Sequence, residues 1–129
     1  MEKEVHNNES KILIVDDDKN VRFFLEKFLK QMGYSQIQTV VTGAEALKAI
    51  QRGSVRLVLL DIRLPDMDGV EVLRKIKGID KDINVIMITA FPDEKIAKDA
   101  MDEGACDYIV KPFDLAQLKA SVASKTTGI

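Results

Sequence analysis

The sequence predicts an α/β fold: a parallel five-stranded sheet covered by helices on both faces, built from five β-α units in one domain. Three observations predict it. Short apolar runs rich in β-branched residues alternate five times with segments whose apolar residues fall at helical spacing. No repeat, low-complexity segment or linker divides the chain, and 129 residues suffice for one sizeable core. The apolar runs also stop abruptly on polar residues, as strands do when they emerge from a core at one rim of a sheet.

Residues 11–15 (Lys-Ile-Leu-Ile-Val) form the first apolar run, and it ends on Asp16, Asp17 and Asp18. From Lys19 the period becomes helical, with Val21, Phe24, Leu25, Phe28, Leu29 and Met32 on one face and Gly33 as the stop. A short strand is expected at residues 36–41. Thr42 then suits an N-cap, and Ala46, Leu47 and Ile50 face the core from a helix ending before Gly53. Residues 55–60 form the next buried strand, which ends on Asp61 and enters a loop of turn-favouring residues, Pro65, Asp66, Asp68 and Gly69. Val70, Leu73 and Ile76 mark a third helix, closed near Gly78. The fourth strand, residues 84–88, ends on Thr89; a helix with a thin apolar stripe starts around Asp93 and stops at Gly104. Residues 107–110 form the last strand, ending on Lys111 and Pro112. Leu115, Leu118 and Val122 define the closing helix. The folded domain is expected over residues 11–124, between tails at 1–10 and 125–129.

Composition removes several classes of function. A net charge of -2 and a pI near 5.4 give no electrostatic footprint for nucleic acid or an anionic membrane. No apolar run approaches the roughly 18 residues of a membrane span, and the polar first decapeptide lacks a signal-peptide core. The single cysteine, Cys106, reads as a small buried hydrophobe and excludes an internal disulfide. A cytoplasmic protein is the default. His6, the only histidine, stands in the N-terminal tail and is a poor phosphodonor, so any phosphoryl group must come from outside.

The strand ends carry the chemistry. Asp16, Asp17, Asp61, Thr89 and Lys111 all reach the same rim. Carboxylates brought together there repel by about 4 kcal/mol per pair at 4 Å and an effective dielectric of 20, so a cation must enter or a proton be taken up. With oxygen ligands only, that cation is Mg²⁺, or Mn²⁺, rather than zinc. Mg²⁺ accepts phosphate oxygens, while Lys111 and the Thr89 hydroxyl suit a transferred phosphoryl group. By spacing alone, Asp16 to Asp18 read equally as caps of the first helix, and Asp18 is expected to act so. Lys111 reads equally as a solvated lysine, Pro112 as loop punctuation and Tyr108 as a fixed core aromatic.

Four motifs in order and spacing resemble the receiver domain of two-component response regulators: Ile-Leu-Ile-Val-Asp-Asp-Asp at 12–18, Leu-Leu-Asp-Ile-Arg-Leu-Pro-Asp-Met-Asp-Gly at 59–69, Ile-Thr-Ala at 88–90 and Tyr-Ile-Val-Lys-Pro-Phe at 108–113. The resemblance implies the flavodoxin-like doubly wound sheet of order 2-1-3-4-5. It makes Asp61 the phosphoacceptor, charged by a sensor histidine kinase or a histidine phosphotransfer protein. Asp17, Asp61 and the Arg63 carbonyl would hold Mg²⁺, with Asp16 acting mainly through a metal-bound water. Thr89 and Lys111 would hold the phosphoryl oxygens, Thr89 and Tyr108 would form the switch, and the Lys111-Pro112 peptide would be cis. Arg63 and Phe91 would flank the phosphoryl group and modulate its lifetime. The fourth helix, fifth strand and fifth helix would present the changed surface to a downstream protein or output domain. The protein would be a monomer or a phosphorylation-dependent dimer, without catalytic turnover beyond its own phosphoryl transfer and slow autodephosphorylation.

Rival readings fit less well. An EF-hand is rejected because Val21 replaces the required glycine and Lys27 the bidentate glutamate. An aspartyl-nucleophile phosphatase would put its nucleophile after the first strand and leave Asp61 without a role. A flavodoxin-type cofactor protein would need a phosphate loop after the first strand. A degenerate receiver acting as a phosphorylation-independent interaction module remains the minor alternative.

Overall fold

A computed structural model describes residues 10–126. The order is β1 (Lys11–Val15), α1 (Lys19–Gln31), β2 (Ile37–Val40), α2 (Gly43–Arg52), β3 (Val55–Asp61), α3 (Gly69–Ile79), β4 (Asn84–Thr89), α4 (Glu94–Asp102), β5 (Asp107–Val110) and α5 (Leu115–Lys125). The five strands pair in parallel in the order β2-β1-β3-β4-β5, the order expected.

Strand alternation divides the core between two faces. On one, Leu13, Val15, Val58, Leu60, Val85 and Met87 meet Ala46 and Ile50 of α2, Val72, Leu73 and Ile76 of α3, and Ala100 of α4. On the other, Ile12, Ile14, Leu57, Leu59, Ile86 and Ile109 meet Leu25 and Leu29 of α1 and Leu118 and Val122 of α5. The chain therefore leaves β1 toward one face and β3 toward the other. Between these adjacent strands the loops part, and the rim opens where a doubly wound sheet takes its ligands.

The five helices all start at this rim, on Asp18, Thr42, Asp68, Asp93 and Asp114, each side chain accepting an N–H of the first turn. Asp18 thus caps α1, as expected. Thr42 forms a full capping box with Glu45, so Thr42→Ala is expected to cost about 1 kcal/mol in urea denaturation.

Helix α3 closes near Gly78, as expected: it runs to Ile79 and is capped by Asp80, whose N–H reaches the Ile76 carbonyl at 2.9 Å. One boundary differs from expectation. The C-terminal tail does not start at 125. Helix α5 includes Ser124 and Lys125, and Thr126 is buried, its hydroxyl hydrogen-bonded to Tyr34 and to the Val122 carbonyl. The Asn84 amide also donates to the Lys125 carbonyl. These tertiary bonds bind the end of α5 to the base of the sheet. Except for Ser10, the expected N-terminal tail, with His6, lies outside the described residues.

Candidate functional site

Parallel register builds the site. Val15 pairs with Leu60 and Asp61 with Ile88, so the residues that follow or end β1, β3 and β4 arrive side by side. Asp61 and Thr89 are the last residues of their strands, Asp16 and Asp17 follow β1, and Lys111 follows β5, its N–H donating to the Thr89 carbonyl at 2.7 Å. Asp16, Asp61 and Thr89 are buried, whereas Asp17 is exposed. The Lys111-Pro112 peptide is cis.

The Lys111 ammonium lies 2.9 Å from Asp16 Oδ2 and 3.7 Å from Asp61 Oδ2. Asp16 Oδ1 accepts the Asp18 N–H at 2.9 Å, and Asp61 Oδ1 accepts the Arg63 N–H at 3.2 Å. The Thr89 hydroxyl oxygen accepts the Phe91 N–H at 2.9 Å, which leaves its proton to donate. Burial, followed by repulsion from Asp16, pushes the Asp61 carboxyl up to about 6, against the pull of Lys111 and the Arg63 N–H. At neutral pH Asp61 is ionised, at a cost.

One carboxylate oxygen each from Asp16, Asp17 and Asp61 lie within 4.8 Å of one another. Trans ligands around Mg²⁺ stand about 4.2 Å apart. Three carboxylates face one ammonium, leaving a deficit of two positive charges, and every donor is oxygen. The residues therefore fit a hard divalent cation.

The loops around the site are tied to one another. Gly69 opens α3 against the backbone of Asp61 and Ile62: its N–H donates to the Ile62 carbonyl at 2.7 Å, and a Cβ there would stand 2.6 Å from the Asp61 carbonyl oxygen. The Asp66 carboxylate accepts the N–H groups of Gly43 and Ala44 at 2.8 and 3.0 Å, pinning the loop after β3 to α2. The Arg63 guanidinium stacks over the Phe91 ring at 4.4 Å, joining the loops that follow β3 and β4. Tyr108 is half-buried, and its hydroxyl accepts the Asp93 N–H at 3.3 Å. Sequence reasoning named Arg63 and Phe91 without their pairing. It read Asp66 only as a turn residue and gave no role to Arg22, which donates to the Asp16 carbonyl at 3.0 Å.

Residues 12–123 match the family model described as response regulator receiver domain. The chain is 37% identical over 112 residues to sporulation initiation phosphotransferase F of Bacillus subtilis (strain 168), covering 87% of this chain and 90% of that protein. It is 39% identical over 114 residues to the transcriptional regulatory protein PrrA of Mycobacterium tuberculosis, covering 87% of this chain but only 48% of that longer protein. Among solved structures, the CheX-CheY-BeF3-Mg²⁺ complex of Borrelia burgdorferi contains a chain that superposes with a TM-score of 0.84 at 36% identity, covering 89% of this chain and 87% of that one.

Proposed function

Because the chain belongs to the response regulator receiver domain family of two-component signalling, we propose that Asp61 accepts a phosphoryl group from the phosphohistidine of a sensor histidine kinase or a histidine phosphotransfer protein. An Asp61 carboxylate oxygen attacks phosphorus, the P–N bond breaks, and the imidazole leaves with the electron pair and takes up a proton. Asp61 Oδ1 is engaged by the Arg63 N–H, so Oδ2, which faces Lys111, is the oxygen that forms the new bond. The Lys111 ammonium and the Thr89 hydroxyl hold the phosphoryl oxygens as charge shifts onto them.

The observation that carries this reading is the charge deficit at the rim, three carboxylates against Lys111. Mg²⁺, or Mn²⁺, would be held by Asp17, Asp61 and the Arg63 carbonyl directly and by Asp16 through water; when bound it supplies the charge neutralisation that lets an anionic donor approach an anionic acceptor. The presence of BeF3 and Mg²⁺ in the Borrelia burgdorferi complex supports that assignment. Phe24, Pro112 and Leu115, exposed beside Lys111, give a protein donor apolar surface to rest on.

Phosphorylation biases an existing equilibrium between conformers, with Thr89 and Tyr108 as the moving pair and α4, β5 and α5 as the altered face. A downstream protein or an output domain reads that face, directly or by phosphorylation-dependent dimerisation, in the cytoplasm and without nucleic-acid contact by this chain. No helix among the described residues is long and apolar enough to cross a membrane. Turnover is confined to the protein's own phosphoryl transfer and slow autodephosphorylation.

Intact-protein mass after incubation with acetyl phosphate tests the reading. Wild type gains one phosphoryl adduct that requires Mg²⁺, and Asp61→Asn gains none; an adduct of equal yield in the variant overturns the assignment. Phe91 follows Thr89 by two residues, is over half exposed and stacks on Arg63, a position from which its ring would screen the phosphoryl group from water. Phe91→Ala is therefore expected to lose the adduct several-fold faster, and an unchanged decay rate removes Phe91 from the modulating set.

A further inference from the structure

We propose that the outer edge of β2 and the cationic cleft beside it form a docking site for an extended acidic segment of a partner protein. β2 is one edge of the sheet. The Ile12 N–H donates to the Gln36 carbonyl and the Asp16 N–H to the Val40 carbonyl, so the even-numbered residues of this strand face β1 and Ile37, Thr39 and Val41 turn outward. Glu45 takes the Val41 N–H at 2.8 Å. The N–H and C=O groups of Ile37 and Thr39 and the Val41 carbonyl keep no backbone partner among the described residues. Such a row of donors and acceptors is a template for one more strand.

The surroundings select the charge of that strand. A cleft of about 400 Å³ runs along the edge, lined by Arg22 of α1 and by Lys48 and Arg52 of α2. None of the three forms an ion pair with a carboxylate among the described residues. The only acid in the lining, Glu45, is committed to the backbone N–H groups of Val41 and Thr42. Three unmatched cations gather here on a chain whose net charge is -2. Charge on an edge strand commonly serves to prevent pairing, and it does so against a second copy of this chain, which presents the same cations. Against a segment carrying Asp or Glu the same charges attract, steering it onto the open edge. The occupant is therefore a different, acidic protein segment.

Titration of the full chain at low salt with a fluorescein-labelled Glu-Val octapeptide tests this, read by anisotropy and by backbone amide shifts. The expected result is saturable binding that weakens with salt, with shifts concentrated at Ile37, Thr39 and Val41. The double variant Lys48→Glu/Arg52→Glu should weaken it about tenfold, the size of two exposed ion pairs. The acetyl phosphate adduct at Asp61 should be unchanged in that variant, so failure here is distinct from failure of the phosphoacceptor reading. An absence of binding, shifts centred elsewhere, or undiminished binding to the variant overturns the proposal. So does equal binding of a Lys-Val octapeptide. A fully N-methylated Glu-Val octapeptide carries the same charge but lacks every backbone donor; if it binds as tightly, the cleft is a general polyanion site and the edge is not paired.

Discussion

Asp61→Asn stabilises the metal-free protein at pH 7.5 by about 1–3 kcal/mol and leaves its stability near pH 4 almost unchanged. The Asp61 carboxyl moves from 3.8 to about 6 on folding, because burial and the Asp16 charge disfavour its ionised form. Between those values the folded protein binds the proton more tightly than the unfolded chain, so wild-type stability falls as pH rises through this window and stays low above 6. At about 1.36 kcal/mol per pH unit, the full penalty is about 3 kcal/mol, reduced where water reaches the rim. Asparagine keeps an acceptor for the Arg63 N–H while removing the charge, and Lys111 retains Asp16 at 2.9 Å. Urea denaturation in EDTA at both pH values measures the difference. Adding Mg²⁺ should narrow it, since a ligand of the folded state stabilises the protein that binds it. A gain as large at pH 4 as at pH 7.5 would show that the Asp61 charge is not its source.

Gly69→Ala is expected to cost about 3 kcal/mol or more and to abolish the acetyl phosphate adduct. The added Cβ would meet the Asp61 carbonyl oxygen and Ile62 Cα at 2.6 Å and the Ile62 carbonyl oxygen at 2.8 Å. All three are backbone atoms of Asp61 and Ile62, so relief requires moving Asp61 itself. Gly43→Ala is the control. Its Cβ would meet Met67 Cγ at 2.6 Å and Val72 Cγ2 at 2.9 Å, both side-chain atoms, and the methionine can turn away. Its cost should be about 1–2 kcal/mol with the adduct retained. Thermal melts and intact mass of both variants check the ordering, and a milder effect at Gly69 than at Gly43 would contradict it.

What the sequence made legible was local. Ile12 to Val15 and Val58 to Leu60 are apolar because helices cover both faces, and the acids that end them stand out against that background. Thr42 with Glu45 three residues later announces its helix for the same reason. Contacts across the fold were not legible. Asp66 and Gly43 are separated by 23 residues, and their bond depends on how α2 and the loop after β3 meet once the sheet is assembled. The Arg63 and Phe91 stack depends likewise on β3 and β4 being neighbours in register. Gly78 marked the end of α3 to within one residue, because a glycine costs a helix interior only about 1 kcal/mol and the Asp80 N–H still reaches the Ile76 carbonyl. Lys125 and Thr126 add no apolar residue to the α5 stripe, and their bonds to Asn84 and Tyr34 are contacts across the fold.

That fastening has a practical consequence for handling the protein. Strands of about five residues and an antiparallel α5 of eleven separate the two rims by roughly 16 Å. Lys11 and Thr126 both lie at the rim away from Asp61. A dye or a surface tether joined at either residue is therefore held at the far pole of the molecule. Immobilised in that way, the protein would keep the Asp61 rim facing the solution, and binding of the proposed phosphodonor could be followed without the attachment standing in its path.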